Sequence, residues 1–162
     1  MRLECIESED SVNDDNIEGA LKLFDDNGMQ IGLLDYYIRD GYPFLHVTNL
    51  VNLSKGTHKG VGTLLMNEAV KISLKQELGF EFEIAKGSEL FYRSWIPNTF
   101  NSSGSKSMGL FSRIQQAKAD DGLVKRLSSQ SFSYSFEQLK YFCKIRPESD
   151  FDDGFETSTA LR

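Results

Sequence analysis

The stretch NLVNLSKGTHKGVGTLLMNEAVKIS, residues 49–73, joins a short apolar run to a long one through a basic turn with Lys55, Gly56, Lys59, Gly60 and Gly62. Helix starts ordinarily carry Ser, Thr, Asp or Asn, and lysine sits badly against the partial positive charge of a helix N-terminus. A negative partner resolves the mismatch. Glycines let the backbone approach a ligand, and the unpaired amides of a helix start point at it, which together suit phosphate. The segment GTHKGVGT lacks the Gly-Lys-Ser/Thr ending of a P-loop, and its glycine spacing is wrong for a dinucleotide fingerprint. The alternative is a turn whose glycines serve packing alone.

The rest of the chain must position that turn. Its 162 residues, 40% hydrophobic and 26% charged, fit one ordinary globular domain with a real core. A net charge of −6 argues against nucleic acid and anionic membranes as partners, since phosphate neutralisation needs clustered Lys and Arg. The N-terminus is acidic by its fourth residue and has no apolar core, so no signal peptide is expected. No apolar stretch approaches the roughly 20 residues that span a bilayer. Cys5 and Cys143 have no Cys or His at metal spacing and read as thiols in a reducing compartment. The expected location is cytoplasmic, with no metal.

Along the chain, 3–9 alternates as a strand, 10–16 is an acidic connector, and 17–38 is two apolar runs separated by DDNG, a hairpin signal. Residues 44–53 read as a buried strand lying centrally in the sheet, and from Val61 the apolar positions take helical spacing up to Gly79, a natural left-handed stop. FEFEIA, 80–85, alternates as a strand parallel to 45–52, because a helix joins them. Residues 88–95 read as a short helix stopped by Pro97. Residues 98–109 form a polar loop, 110–119 could be helical, and 131–136 with 139–145 read as two late strands. The domain is assigned to 1–146 with an insertion at about 98–130, and 147–162 to an acidic, frayed tail. The expected class is α/β of the α+β type. It has a mixed, mostly antiparallel central sheet with a parallel strand–helix–strand unit at 44–85.

With this element order, the turn resembles the acyl-CoA-binding motif of the GCN5-related N-acetyltransferases (GNAT). That motif is Arg/Gln-x-x-Gly-x-Gly/Ala after a strand and before a long helix. Here Thr57-His58-Lys59-Gly60-Val61-Gly62 occupies the six positions, with Leu64-Leu65 as the apolar pair behind. The glycines fit, while Thr57 and His58 depart from the pattern. In AKGSELFY, Tyr92 matches the family's tyrosine after the next strand and Phe91 its common neighbour, whereas Ala85 and Ser88 replace the usual Asn and Ala. The resemblance covers about 17–97.

It implies acetyl-CoA as co-substrate, with the amides from His58 through Lys59, Gly60, Val61 and Gly62 to Thr63 holding the pyrophosphate. The backbone edge of Leu50, Val51, Asn52 and Leu53 would pair with the pantetheine arm as an added strand. It further implies direct transfer of acetyl to an amine, a carbonyl-polarising amide near Val51 or Asn52, and Tyr92 as the acid for the departing thiolate. Glu83, with Glu81 on the same strand face, is the candidate base; Asp35 and His46 are weaker ones. The family's two acceptor-side helices have no room in 10–16, so the insertion is expected to cover the acceptor side. Glu7, Glu9, Asp10, Asp14, Asp15 and Glu18, without a nearby cation, point to a cationic primary amine as acceptor, a lysine side chain or polyamine. The competing reading is a non-catalytic module holding a protein partner on the same fold. Either reading leaves a homodimer open.

Overall fold

The computed structural model describes residues 1–9, 16–101 and 130–148, with the backbone of 156–161. Strands β1 (Arg2–Glu9), β2 (Ile17–Phe24), β3 (Gln30–Ile38) and β4 (Phe44–Asn52) lead into helix α1 (Val61–Lys75). Strand β5 (Gly79–Glu83), helix α2 (Glu89–Thr99), strand β6 (Ser131–Tyr134), helix α3 (Phe136–Phe142) and strand β7 (Glu156–Leu161) follow. The sheet order is β6-β5-β4-β3-β2-β1-β7. Pairings are antiparallel except β4 with β5 and β1 with β7. This is the expected α+β class, with β4 inside the sheet and parallel to β5.

The DDNG hairpin forms as read. Gly28 takes φ 80°, and Asp25 Oδ1 accepts the amides of Asn27 and Met29, both at 2.9 Å, so the turn satisfies its own backbone. One face of the sheet is apolar and buried under the helices. Leu21, Leu23, Leu34 and Leu45 meet Val61, Leu65, Met66, Ala69 and Val70 of α1. Gly32 is required there, because a Cβ would lie 2.6 Å from Val61 Cγ1. Beside α1, Phe82 is sandwiched between Phe132 (5.3 Å between centroids, 2° between planes) and Tyr92 (5.1 Å, 14°).

Four expectations are corrected. Residues 139–145 are not a strand: Ser135 and Gln138 form a reciprocal capping box that starts α3, and Leu139 is buried beneath it. Helix α1 does not end on Gly79. Glu77 takes the left-handed position at φ 57°, Leu78 N–H reaches Ser73 O at 2.8 Å, and Glu77 N–H reaches Leu74 O at 3.2 Å. That is a Schellman stop without glycine. Gly79 instead lies in β5, where a Cβ would sit 2.5 Å from the Phe44 ring. Pro97 does not stop α2, which runs to Thr99; proline removes one amide bond, and Phe100 N–H still closes onto Ile96 O at 3.0 Å. Within the tail expected to fray, 156–161 adds strand β7 alongside β1. Most of the 98–130 insertion, its 110–119 helix and the 10–15 part of the connector lie outside the described residues.

Candidate functional site

Strands β4 and β5 pair only over Phe44–His46 and Gly79–Glu81. Beyond His46 the register of β4 against β3 shifts, between the pairs Tyr36–Val47 and Asp35–Asn49, so Thr48 bulges and the strands part. The wedge between them is a cleft of about 330 Å³ lined by His46 to Leu50, Glu83, Ala85, Ser88 and Tyr92. Its walls come from both sides of the sheet. Tyr92 stands on the helix side, stacked on Phe82, and His46 and Glu83 stand on the other.

Past the end of β4 the chain enters the basic turn. Asn52 Oδ1 accepts from Ser54 N at 2.9 Å and from Ser54 Oγ at 2.6 Å. Ser54 O accepts from Thr57 N at 3.1 Å and Thr57 Oγ1 at 2.7 Å. Ser54 is the buried hub of this turn, 7% exposed, around which Lys55, Gly56 and Gly60 take positive φ of 53°, 84° and 80°. Lysine at positive φ is unusual, so the turn is fixed by its hydrogen bonds and not by residue preference alone. Gly60 is the helix N-cap, and its carbonyl accepts the first helical bond, from Leu64 N at 2.9 Å. The amides of Lys59, Gly60, Val61, Gly62 and Thr63 have no acceptor among the described residues, as a helix start requires. The His58 amide differs: it is directed at Ser54 Oγ, 3.4 Å away. The two glycines of the motif have different duties. Gly60 supplies the left-handed bend, and Gly62 makes room for Phe91, whose ring would lie 3.1 Å from an added Cβ.

The other sequence-read residues separate into two groups. Leu50 lines the cleft, but Leu53 N–H is taken by Ile31 O at 2.8 Å on the β3 side, and Asn52 braces the turn. Glu83 lines the cleft and is exposed. Glu81 faces the same side and is held by Tyr42, whose hydroxyl donates to it at 2.7 Å, and by His46 Nδ1 at 2.7 Å. Tyr92 is 3% exposed, its hydroxyl has no partner among the described residues, and burial pushes the phenol pKa up, so it stays protonated. Sequence reasoning missed Ser54 as the hub of the turn and the His46–Glu81 pair. The first was legible as Asn-x-Ser ahead of the glycines, a local side-chain-to-backbone pattern. The second needed the β4–β5 register, which sets His46 beside Glu81.

A second hollow, of about 360 Å³, shares Thr48 with the cleft and continues across the sheet face opposite α1. Ile6, Ser8, Glu18, Asp35 and Tyr37 line it. Among the described residues no group of three or more His, Cys, Asp or Glu is placed to hold a metal, and no helix is long and apolar enough to cross a membrane.

No family model matches the chain, and no curated protein matches its sequence. Among solved structures it is similar to a tandem GNAT protein from the clavulanic acid biosynthesis pathway, at 16% identity and TM-score 0.46 over 55% of this chain and 30% of that one. It is also similar to GCN5 of Tetrahymena, at 14% identity and TM-score 0.49 over 83% of this chain and 72% of that one. A third is the PaiA N-acetyltransferase of Thermoplasma acidophilum in complex with coenzyme A, at 18% identity and TM-score 0.41 over 57% of this chain and 55% of that one. The chain thus spans less than a third of the first of these and just over half of the third. At these identities and TM-scores the likeness carries neither substrate nor role across to this chain.

Proposed function

We propose that the chain is an acyl-CoA-dependent N-acyltransferase that moves acetyl from acetyl-CoA to a cationic primary amine, a lysine side chain or polyamine. The observation that carries this is the junction of two unsatisfied backbone arrays. The free edge of β4 in the wedge runs directly into the free amides of 59–63 at the start of α1. One ligand that ends in a pyrophosphate and carries an amide-bearing arm satisfies both at once. Lys55 and Lys59, exposed on the turn, add charge for the phosphates.

In the reaction the neutral amine attacks the thioester carbonyl carbon, the C–N bond forms, and the C–S bond breaks. A β4 amide in the wedge polarises the carbonyl, and Tyr92 protonates the leaving thiolate. Burial raises the phenol pKa, and the same desolvation raises the basicity of the thiolate, so the transfer keeps its driving force. The hollow beyond Thr48, with Glu18 and Asp35, receives the acceptor's cationic end.

The test is thermal shift with acetyl-CoA. A ligand at 100 times its dissociation constant stabilises by about 2.7 kcal/mol. Lys59→Glu, an exposed charge reversal on the turn, should abolish the shift without changing the unliganded Tm. No shift in the wild type, or an equal shift in Lys59→Glu, removes the acyl-CoA reading and leaves the non-catalytic module.

A further inference from the structure

Taking the acyltransferase reading as its basis, we infer that His46, oriented by Glu81, is the base that takes the proton from the acceptor amine. An ammonium is no nucleophile, so a cationic amine needs a proton acceptor inside the cleft before it can attack. His46 lines that cleft, with its side chain 28% exposed.

Two contacts fix its ring, and a third braces the stack. Its Nδ1 lies 2.7 Å from Glu81 Oε1, the ring stacks on Tyr37 at 4.8 Å and 21°, and Arg39 lies over the far side of that pair, 4.4 Å from the Tyr37 centroid. An ionised carboxylate only accepts, so Nδ1 carries the hydrogen and Nε2 keeps its lone pair. Nε2 has no partner among the described residues. Tyr42 donates to the same carboxylate and holds it in place. Glu83, the residue singled out by alternation alone, also lines the cleft, but no side chain among the described residues orients it. The titratable and charged groups around His46 are Tyr37, stacked on it from β3, with Asp35 on the same strand face; Glu81, bonded to it, and Glu83, which shares the cleft, from β5; and, from the turn before β4, Tyr42 on Glu81 and Arg39 on Tyr37.

The step balances. Nε2 takes a proton from R–NH3+ to give R–NH2 and imidazolium. The amine attacks the carbonyl carbon, the thiolate leaves with the C–S bonding pair, and the second nitrogen proton ends on sulfur through Tyr92. The imidazolium then returns its proton to water. Glu81 is a positioning residue: it touches no reacting atom and fixes the tautomer that leaves Nε2 free.

The test uses the wild-type chain, His46→Gln, His46→Ala and Glu81→Gln, with acetyl-CoA and spermidine or a lysine peptide. His46→Gln should lower kcat about 10²–10⁴-fold with an unchanged KM for acetyl-CoA and no acid limb in its pH profile. Imidazole should restore part of the turnover of His46→Ala. Glu81→Gln should lower kcat less and move the acid limb. Independently of activity, nitrogen NMR of the wild-type ring should report the Nδ1–H tautomer, and Glu81→Gln should lose that bias. Wild-type kcat in His46→Gln, or an Nε2–H tautomer in the wild type, overturns the assignment while leaving acetyl-CoA binding intact. Absence of an acetyl-CoA shift in the wild type overturns the acyltransferase reading itself.

Discussion

Tyr92 is held by ring contacts and not by its hydroxyl: it stacks on Phe82 and meets Phe91 and Trp95 edge-on, at 4.9 and 6.2 Å between centroids. Removing the oxygen therefore leaves the packing in place. Tyr92→Phe should lower kcat and kcat/KM together while acetyl-CoA affinity and Tm stay close to wild type. Equal turnover would return Tyr92 to packing alone. Cys143 offers a second check at this scale, because burial pushes its thiol up to about 11 from an ordinary value near 8.5. The folded state then holds the proton more tightly than the unfolded chain. Its contribution to stability is complete below the unfolded pKa and is lost as pH rises through about 11. At pH 8, a thiol reagent should label Cys143 in a Cys5→Ser background only as fast as the protein unfolds. Labelling as rapid as in denaturant would contradict its burial.

At the scale of elements, the stop of α1 places a glutamate where glycine is the usual choice. Glu77 takes φ 57° to complete the Schellman bonds to Ser73 and Leu74. Left-handed geometry costs an ordinary side chain roughly 1–2 kcal/mol. Glu77→Gly should consequently stabilise the protein by up to about 1 kcal/mol, the gain being offset in part by a more flexible unfolded chain. Urea denaturation reads this as a raised midpoint with an unchanged slope. A lowered midpoint would mean that the Glu77 side chain contributes more than its backbone costs. The same stop sets the site, since it delivers β5 beside β4 in the register that pairs His46 with Glu81.

Across the whole molecule, charge is divided between the ends of one path. Lys55 and Lys59 mark the turn, while Glu18 and Asp35 line the hollow on the far side of Thr48. With a net charge of −6, the chain repels anions in general, and amides and lysines converge at the turn. The acidic hollow should concentrate cations, an effect that salt screens over about 8 Å at physiological ionic strength. In an amine panel, Glu18→Gln with Asp35→Asn should raise KM for polyamines and lysine peptides, flatten the salt dependence, and leave the acetyl-CoA shift unchanged. A preference for anionic acceptors, or no response to either change, would sink the charge-steering account.

The sequence by itself determined the hairpin, the central β4, the parallel strand–helix–strand unit and the glycine-bearing turn at the start of α1. Each is written in near neighbours: Asp-Asn-Gly for a positive φ, alternation for strands, helical spacing from Val61, glycines at 56, 60 and 62. Where local signals compete, it was less legible. Residues 139–145 carry strand-like apolar content, yet the Ser135–Gln138 box starts a helix, and Gly79, read as a helix stop, is there to clear Phe44. The tertiary structure alone decided the rest. How far β4 and β5 pair before they part, which side of β4 is left unpaired, and that His46 meets Glu81 across 35 residues are consequences of sheet register. Register is set by the packing of the whole apolar face on α1 and by the bulge at Thr48, and no short window of residues contains either.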